Sequence, residues 1–257
     1  MSVAFAAPAG PPPLLGQLLS VITGSAENAP RSRQTQIGPS EIGAGCRRKT
    51  ALKLLGAPER NKGDRWAATI GTAVHAWLEE AFAADNVGRQ KTGQPVRWLL
   101  EEKVTIREGL RGSCDLYDLE SDTVVDWKVV GASSLKKYRS AGPSRQYRVQ
   151  AHTYGVGWAN QGKPVKKVAI VFLPRTGFLA DTHIWTEDFD PTVCHGALGD
   201  LDDLVVGMNV AEHLDALDDF VGLLPRDTDG CRFCPYYTTD RSVAASEGCA
   251  GVMEGKQ

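Results

Sequence analysis

The 257-residue chain has no apolar run near the ~18 residues a membrane span needs. It has little net charge, −2, so no overall basicity announces a nucleic-acid partner. Its first twenty residues, MSVAFAAPAGPPPLLGQLLS, lack an early basic residue and are broken by Pro11, Pro12 and Pro13, which argues against a secretory signal. The expectation is a cytoplasmic protein with no membrane partner. In that reducing setting the six cysteines suit ligands or buried thiols better than disulfides. There is no internal repeat. Two stretches each lack one sign of charge. Trp127 to Val149 has no acid but carries Lys128, Lys136, Lys137, Arg139, Arg145 and Arg148, whereas Asp181 to Phe220 has no Lys or Arg. Such a layout suits a protein with one working face, although solvated helix faces would also produce it.

What is present is ordinary for a globular protein: 42% apolar and 23% charged residues, enough for a sizeable core. Residues 1–36, rich in Ala, Pro, Gly and Ser, read as a flexible arm with a short helical stretch near Leu14 to Ile22. Residues 37–257 read as a single domain. Ser40 stands where it could cap a helix ending near Gly56, and RWAATIGTAVHAWLEEAFAAD has apolar residues at helical spacing. VRWLLEEKVTIRE is strand-like in its second half. GSCDLYDLESDTVVDWKVV reads as a hairpin, SRQYRVQAHTYGVGWAN as a helix, and KKVAIVFLPR and THIWTEDF as strands. Leu198 to Leu224 reads as one acidic amphipathic helix, and the tail from Asp229 is turn-rich. Strands mixed with helices in this order predict an α/β fold with a mixed central sheet.

The hairpin poses a chemical question. It carries Asp115 on one strand and Asp126 and Lys128 on the next. Alternation along a strand points Asp126 and Lys128 to one face and Trp127 to the other. A buried unpaired carboxylate is costly, and two close together repel. One resolution pairs an Asp with Lys128 and leaves the other in water. The other is a divalent cation, which takes carboxylates, waters and a substrate phosphate. Lys128 would then orient a water or stabilise charge developing on phosphate.

These residues carry a resemblance. Gly112-Ser113-Cys114-Asp115 followed by Val124-Val125-Asp126-Trp127-Lys128 resembles the signature of the PD-(D/E)XK nuclease superfamily. Gly71-Thr72-Ala73-Val74-His75 resembles the helix that donates a histidine ligand in RecB-like nucleases, and Gln150-Ala151-His152-Thr153-Tyr154 their Gln-x-x-x-Tyr motif. The resemblance spans about residues 37–250. It implies a restriction-endonuclease-like sheet flanked by helices, and a DNA exonuclease acting on single-stranded DNA, with the 5′ end favoured. It implies metal ligands His75, Asp115, Asp126 and the Trp127 carbonyl, with Mg²⁺ or Mn²⁺ as the ion. Asp115, Asp126, Lys128, Gln150 and Tyr154 would be catalytic.

Cys231-Arg232-Phe233-Cys234 is a C-x-x-C pair, with Cys249 after it and Cys46 far before it. One cysteine ahead of the nuclease core and three behind it resemble the iron–sulfur branch of RecB-like exonucleases, which includes CRISPR-associated and phage members. That implies a [4Fe–4S] cluster on Cys46, Cys231, Cys234 and Cys249, in a subdomain formed from about 37–66 and 225–257. Zinc in the same four sulfurs is the alternative. Lys136, Lys137, Arg139, Arg145 and Arg148 are candidate DNA-backbone contacts, with Tyr138 and Tyr147 available for base stacking. Two rivals remain open: a structure-specific endonuclease on the same fold, and a non-catalytic DNA-binding accessory protein of recombination or repair. No oligomer interface is legible, and a homo-oligomer is left open.

Overall fold

In the computed structural model the described residues are 13–28, 36–61, 63–227 and 230–251. The flexible arm expected over 1–36 lies outside them except for a helix, α1 (Pro13–Asn28), and Gln36. Two short helices follow, α2 (Pro39–Ile42) and α3 (Arg47–Leu54), then the long α4 (Trp66–Lys91). The single helix expected from Ser40 to Gly56 is thus divided. Gly38 caps α2, and Cys46 caps α3 by accepting the Lys49 amide on its sulfur.

A five-stranded sheet follows in the order β1-β2-β3-β4-β5. Its strands are β1 (Trp98–Arg107), β2 (Leu110–Asp118), β3 (Thr123–Val130), β4 (Lys167–Pro174) and β5 (His183–Asp188). β3 and β4 are parallel and the other neighbours antiparallel, so the sheet is mixed, as expected. A parallel pair needs a crossover. Here α5 (Ala132–Ala141) and α6 (Arg145–Asn160), capped by Ser144, supply it. The acidic helix expected over Leu198 to Leu224 is two: α7 (Pro191–His213) and α8 (Leu217–Leu223). The break falls at Asp215, whose φ of 54° no helix accommodates.

Alternation sorts the sheet into two faces. Val125, Trp127 and Val129 of β3, with Val171 and Leu173 of β4, pack on Val74, Leu78 and Phe82 of α4. Val124 and Val130 join the larger cluster under α6, so Asp126 and Lys128 belong to the α6 face. Val149 to Trp158 of α6 are buried without interruption. This helix is therefore wrapped on all sides, which explains its apolar character and its glycines. A Cβ on Gly157 would lie 2.6 Å from Val104 Cγ2, so the glycine sets how closely α6 approaches β1.

The C-terminal segment returns to the beginning of the domain. Pro235 O accepts the amides of Arg60 and Asn61 at 2.8 and 2.9 Å, and Arg60 pairs with Glu247. Among the described residues no helix is long and apolar enough to cross a membrane.

Candidate active site

The β2–β3 ladder runs from Asp118↔Thr123 to Leu116↔Val125 and then opens. Beyond that point Asp115 replaces the backbone as acceptor: its Oδ2 takes the Trp127 amide at 2.8 Å. The opening leaves Asp115 and Asp126 facing a cleft of about 730 Å³. His75, Lys128, Gln150 and Tyr154 line the same cleft. Six residues from four separate elements that the motifs singled out therefore meet.

His75, in the third turn of α4 rather than at its start, bridges the two strands. Its Nδ1 is 3.3 Å from Asp115 Oδ1, and its Nε2 is 3.1 Å from the Trp127 carbonyl. Both neighbours are acceptors, so both ring nitrogens are best satisfied as donors. Burial works to lower the pKa of His75, but the hydrogen bond and negative charge of Asp115 outweigh it and raise it.

Sequence reasoning missed Glu101. His75, Glu101 and Asp115 present ligand atoms all within 4.8 Å of one another, the one such group of three among the described residues. Glu101 has φ of +47°, rare for a residue with a side chain. It falls between the pairs Leu100↔Leu116 and Glu102↔Cys114, beside Asp115 in the register. The signal available was two adjacent glutamates inside an apolar strand, but only the second half of that segment read as strand.

Asp126 lies outside this group of three, unlike the expected ligand set. It is almost fully buried, at 1% exposure. Its Oδ1 accepts Gln150 Nε2 at 2.8 Å. Its Oδ2 is 2.5 Å from Lys128 Nζ, an ionic contact without hydrogen-bond alignment, so that oxygen has no directed donor. Burial pushes the pKa of Asp126 up, and the Lys128 charge opposes this. Gly112 lets the surroundings close. A Cβ there would lie 2.8 Å from Pro39 Cγ and 3.4 Å from Tyr154 Cε1.

The residues present fit a hard divalent cation. Carboxylates and an imidazole converge beside a carbonyl, and the buried Asp126 Oδ2 already faces a cation, the Lys128 ammonium.

The expected DNA contacts are not gathered in this cleft. Lys136, Lys137 and Arg139 are exposed on α5. Arg139 donates to the Asp181 carbonyl. Arg145 bonds Asp200 and the Gly43 carbonyl, and Arg148 grips Glu187 through two bonds of 2.6 and 2.7 Å. Tyr138 and Tyr147 are partly buried and pack against the main core.

The four cysteines line one cavity of about 230 Å³, with Lys49 and Arg226. They are not drawn into a cluster: no three of their sulfurs lie within 4.8 Å of one another. Each of three sulfurs has a local backbone partner. Cys46 and Cys249 sulfurs accept backbone amides from Lys49 and Gly251, each at 3.4 Å, and Cys231 donates to the Asp227 carbonyl. Cys114 and Cys194 are buried in the main core, as expected.

No protein-family model matches the chain, and a search of curated proteins found no match. Among solved structures it is similar to an alkaline exonuclease (LHK-Exo) from Laribacter hongkongensis, with a TM-score of 0.47 and 12% identity over 72% of this chain and 94% of that one. It is also similar to a phage related exonuclease from Haemophilus somnus 129PT, with a TM-score of 0.36 and 15% identity over 68% of this chain and 78% of that one.

Proposed function

We propose that the protein is a divalent-metal-dependent DNA exonuclease, acting on single-stranded DNA from an end, with the 5′ end favoured. One observation carries the reading. At the point where β2 and β3 part, Asp115 sits among His75, Glu101 and the Trp127 amide, with the Asp126–Lys128–Gln150 group beside it. A buried ion pair is often no more stabilising than well-packed apolar residues of the same volume. That gives no reason to bury Asp126 and open a ladder around it.

His75, Glu101, Asp115, Asp126 and the Trp127 carbonyl would hold Mg²⁺ or Mn²⁺, the imidazole favouring the softer ion. The bound ion would supply Lewis acidity toward phosphate and a water of lowered pKa. Gln150 fixes the Asp126 carboxylate. Lys128 presents its ammonium to the attacking water or to charge developing on the phosphate. Tyr154 walls the cleft beside Gly112. Lys136, Lys137 and Arg139 on α5, with Arg145 and Arg148, which are already paired with Asp200 and Glu187, would contact the DNA backbone. Strand preference and polarity rest on the family resemblance alone.

The cysteine cavity would hold a [4Fe–4S] cluster that ties α3 to the C-terminal segment. Around zinc, with bonds of about 2.3 Å, four sulfurs stand about 3.8 Å apart. The wider spread of these sulfurs favours the larger group, and amide donors to two of them suit anionic thiolates. Anaerobically purified protein should carry iron and sulfide and be brown. One zinc per chain in a colourless protein would end this part of the proposal.

The test of the activity uses linear and circular single-stranded DNA with Mg²⁺, Mn²⁺ or EDTA, beside Lys128→Ala. Metal-dependent loss of the linear form alone, absent in the variant, is the expected result. Cutting of the circle would make the protein an endonuclease. Cleavage undiminished in Lys128→Ala would sink the mechanism.

A further inference from the structure

Lys128 has a second neighbour besides Asp126. Its Nζ lies over the face of the Tyr147 ring, 4.9 Å from the centroid. On the nuclease reading, on which this inference rests, the pairing with Asp126 has to give way when the metal binds. The oxygen that Lys128 faces, Asp126 Oδ2, already sits against a cation but without an aligned hydrogen bond, so it is the one a divalent ion would take over. Once a divalent ion takes that oxygen, the ammonium loses its anion and gains a positive neighbour. Unless something else holds it, the flexible four-carbon stem is free to swing away. An aromatic face attracts an ammonium through its quadrupole, and a hard cation does not compete for it as it does for a carboxylate.

The ring is built into the site. Tyr147 precedes Gln150 by three residues and Tyr154 by seven, so all three share one face of α6. Its ring meets Tyr138 at 5.8 Å between centroids, and Tyr138 stacks on Phe172 at 4.5 Å and 21°. Phe172 is the β4 residue paired with Lys128 in the parallel register. The strand that carries the lysine and the aromatic stack that braces Tyr147 are therefore anchored to the same place in the sheet.

We propose that Tyr147 is the positioning residue of Lys128: its ring face holds the ammonium in place when Asp126 binds a divalent cation. The hydroxyl contributes little to this, so the ring should suffice. Tyr147→Leu should lower kcat about 10- to 30-fold with KM within about twofold, the loss expected of one desolvated cation–ring contact. Tyr147→Phe should retain most of what Tyr147→Leu loses. Phenylalanines of increasing fluorine content at 147, similar in shape but with a progressively weaker ring quadrupole, should lower kcat stepwise. A kcat flat across that series in an active wild type would overturn the inference and leave the nuclease reading standing.

A second readout does not depend on cleavage. In protein labelled with ¹³C-lysine, the Lys128 Cε–Hε signal, assigned by its absence in Lys128→Arg, should be displaced upfield by the ring current. It should remain displaced as Mg²⁺ is added and return to the free-lysine position in Tyr147→Leu. A wild-type signal at the free-lysine position, or one that moves there on adding Mg²⁺, would overturn the inference whether or not the protein cuts DNA.

Discussion

Gln150 donates its side-chain amide to Asp126 Oδ1 at 2.8 Å, joining residues 24 apart in sequence and linking α6 to β3. On the other oxygen Asp126 faces the Lys128 ammonium. In Gln150→Leu, a buried carboxylate would be left with Lys128 alone, at a cost of about 1–3 kcal/mol. We expect a lower urea midpoint and a kcat reduced at least tenfold. A midpoint equal to wild type would mean that this bond does not hold Asp126.

Glu101 gives a test that separates strain from chemistry. A side chain at positive φ costs about 1–2 kcal/mol, which glycine avoids. Glu101→Gly should therefore unfold at a slightly higher temperature than wild type in EDTA, while its Mg²⁺ or Mn²⁺ affinity, followed by calorimetry, falls at least tenfold. Glu101→Gln should weaken the metal equally with no gain in stability. Unchanged metal affinity in both would remove Glu101 from the site.

His152 should give the fold a pH dependence. It is fully buried, its Nδ1 accepts the Asp190 amide at 3.2 Å, and its Nε2 faces Glu187 at 3.2 Å. Glu187, Arg148 and Asp190 are the charged groups around it. Burial lowers its pKa, and the hydrogen bond and charge of Glu187 only partly oppose this. The unfolded chain thus binds a proton at a pH where the folded chain does not, so stability rises with pH. The contribution is fully present above the ordinary histidine value of 6.5 and is lost as pH falls from there through the lowered folded value. His152→Gln removes this titration. The stability gap between wild type and variant should shrink as pH falls from neutral toward 5, and parallel curves would refute it.

Gly157→Ala sets helix propensity against packing. Propensity alone favours alanine by about 1 kcal/mol. The added Cβ would meet Val104 Cγ2 at 2.6 Å and its Cβ at 2.8 Å, a clash with a stiff side chain. Overpacking typically costs about 1–3 kcal/mol, so a net loss of stability is expected on thermal melting. A gain would show that α6 can move off β1.

Elements with a strong local period were legible: α4, the β2–β3 hairpin, α6, β4 and β5 all stand where the pattern put them. The convergence of His75, Asp115, Asp126, Lys128, Gln150 and Tyr154 on one cleft was legible too, because motif order survives folding. What was not legible depended on partners far along the chain. Arg145 and Arg148 look like free cations until Asp200 and Glu187 arrive beside them. Tyr138 and Tyr147 look like surface aromatics until Phe172 is placed between the strands. Glu101 acquires its meaning only from the pairing of β1 with β2. Ser40 falls inside α2, which Gly38 caps, and α3 starts afresh at Cys46, whose sulfur meets the Lys49 amide, a donor–acceptor pair invisible to a search for hydroxyl caps.

The opened ladder has a further consequence. β3 is paired with β4 along its whole length but with β2 through only three residue pairs. Glu101 and Asp115 consequently travel with the β1–β2 hairpin, whereas Asp126 and Lys128 travel with the β3–β4 half of the sheet. The reacting groups straddle a seam, and His75, touching Asp115 on one side and the Trp127 carbonyl on the other, is its clasp. Anything that draws the two sides together, a multivalent ion above all, should slow amide hydrogen exchange along the seam while leaving β4 unaffected.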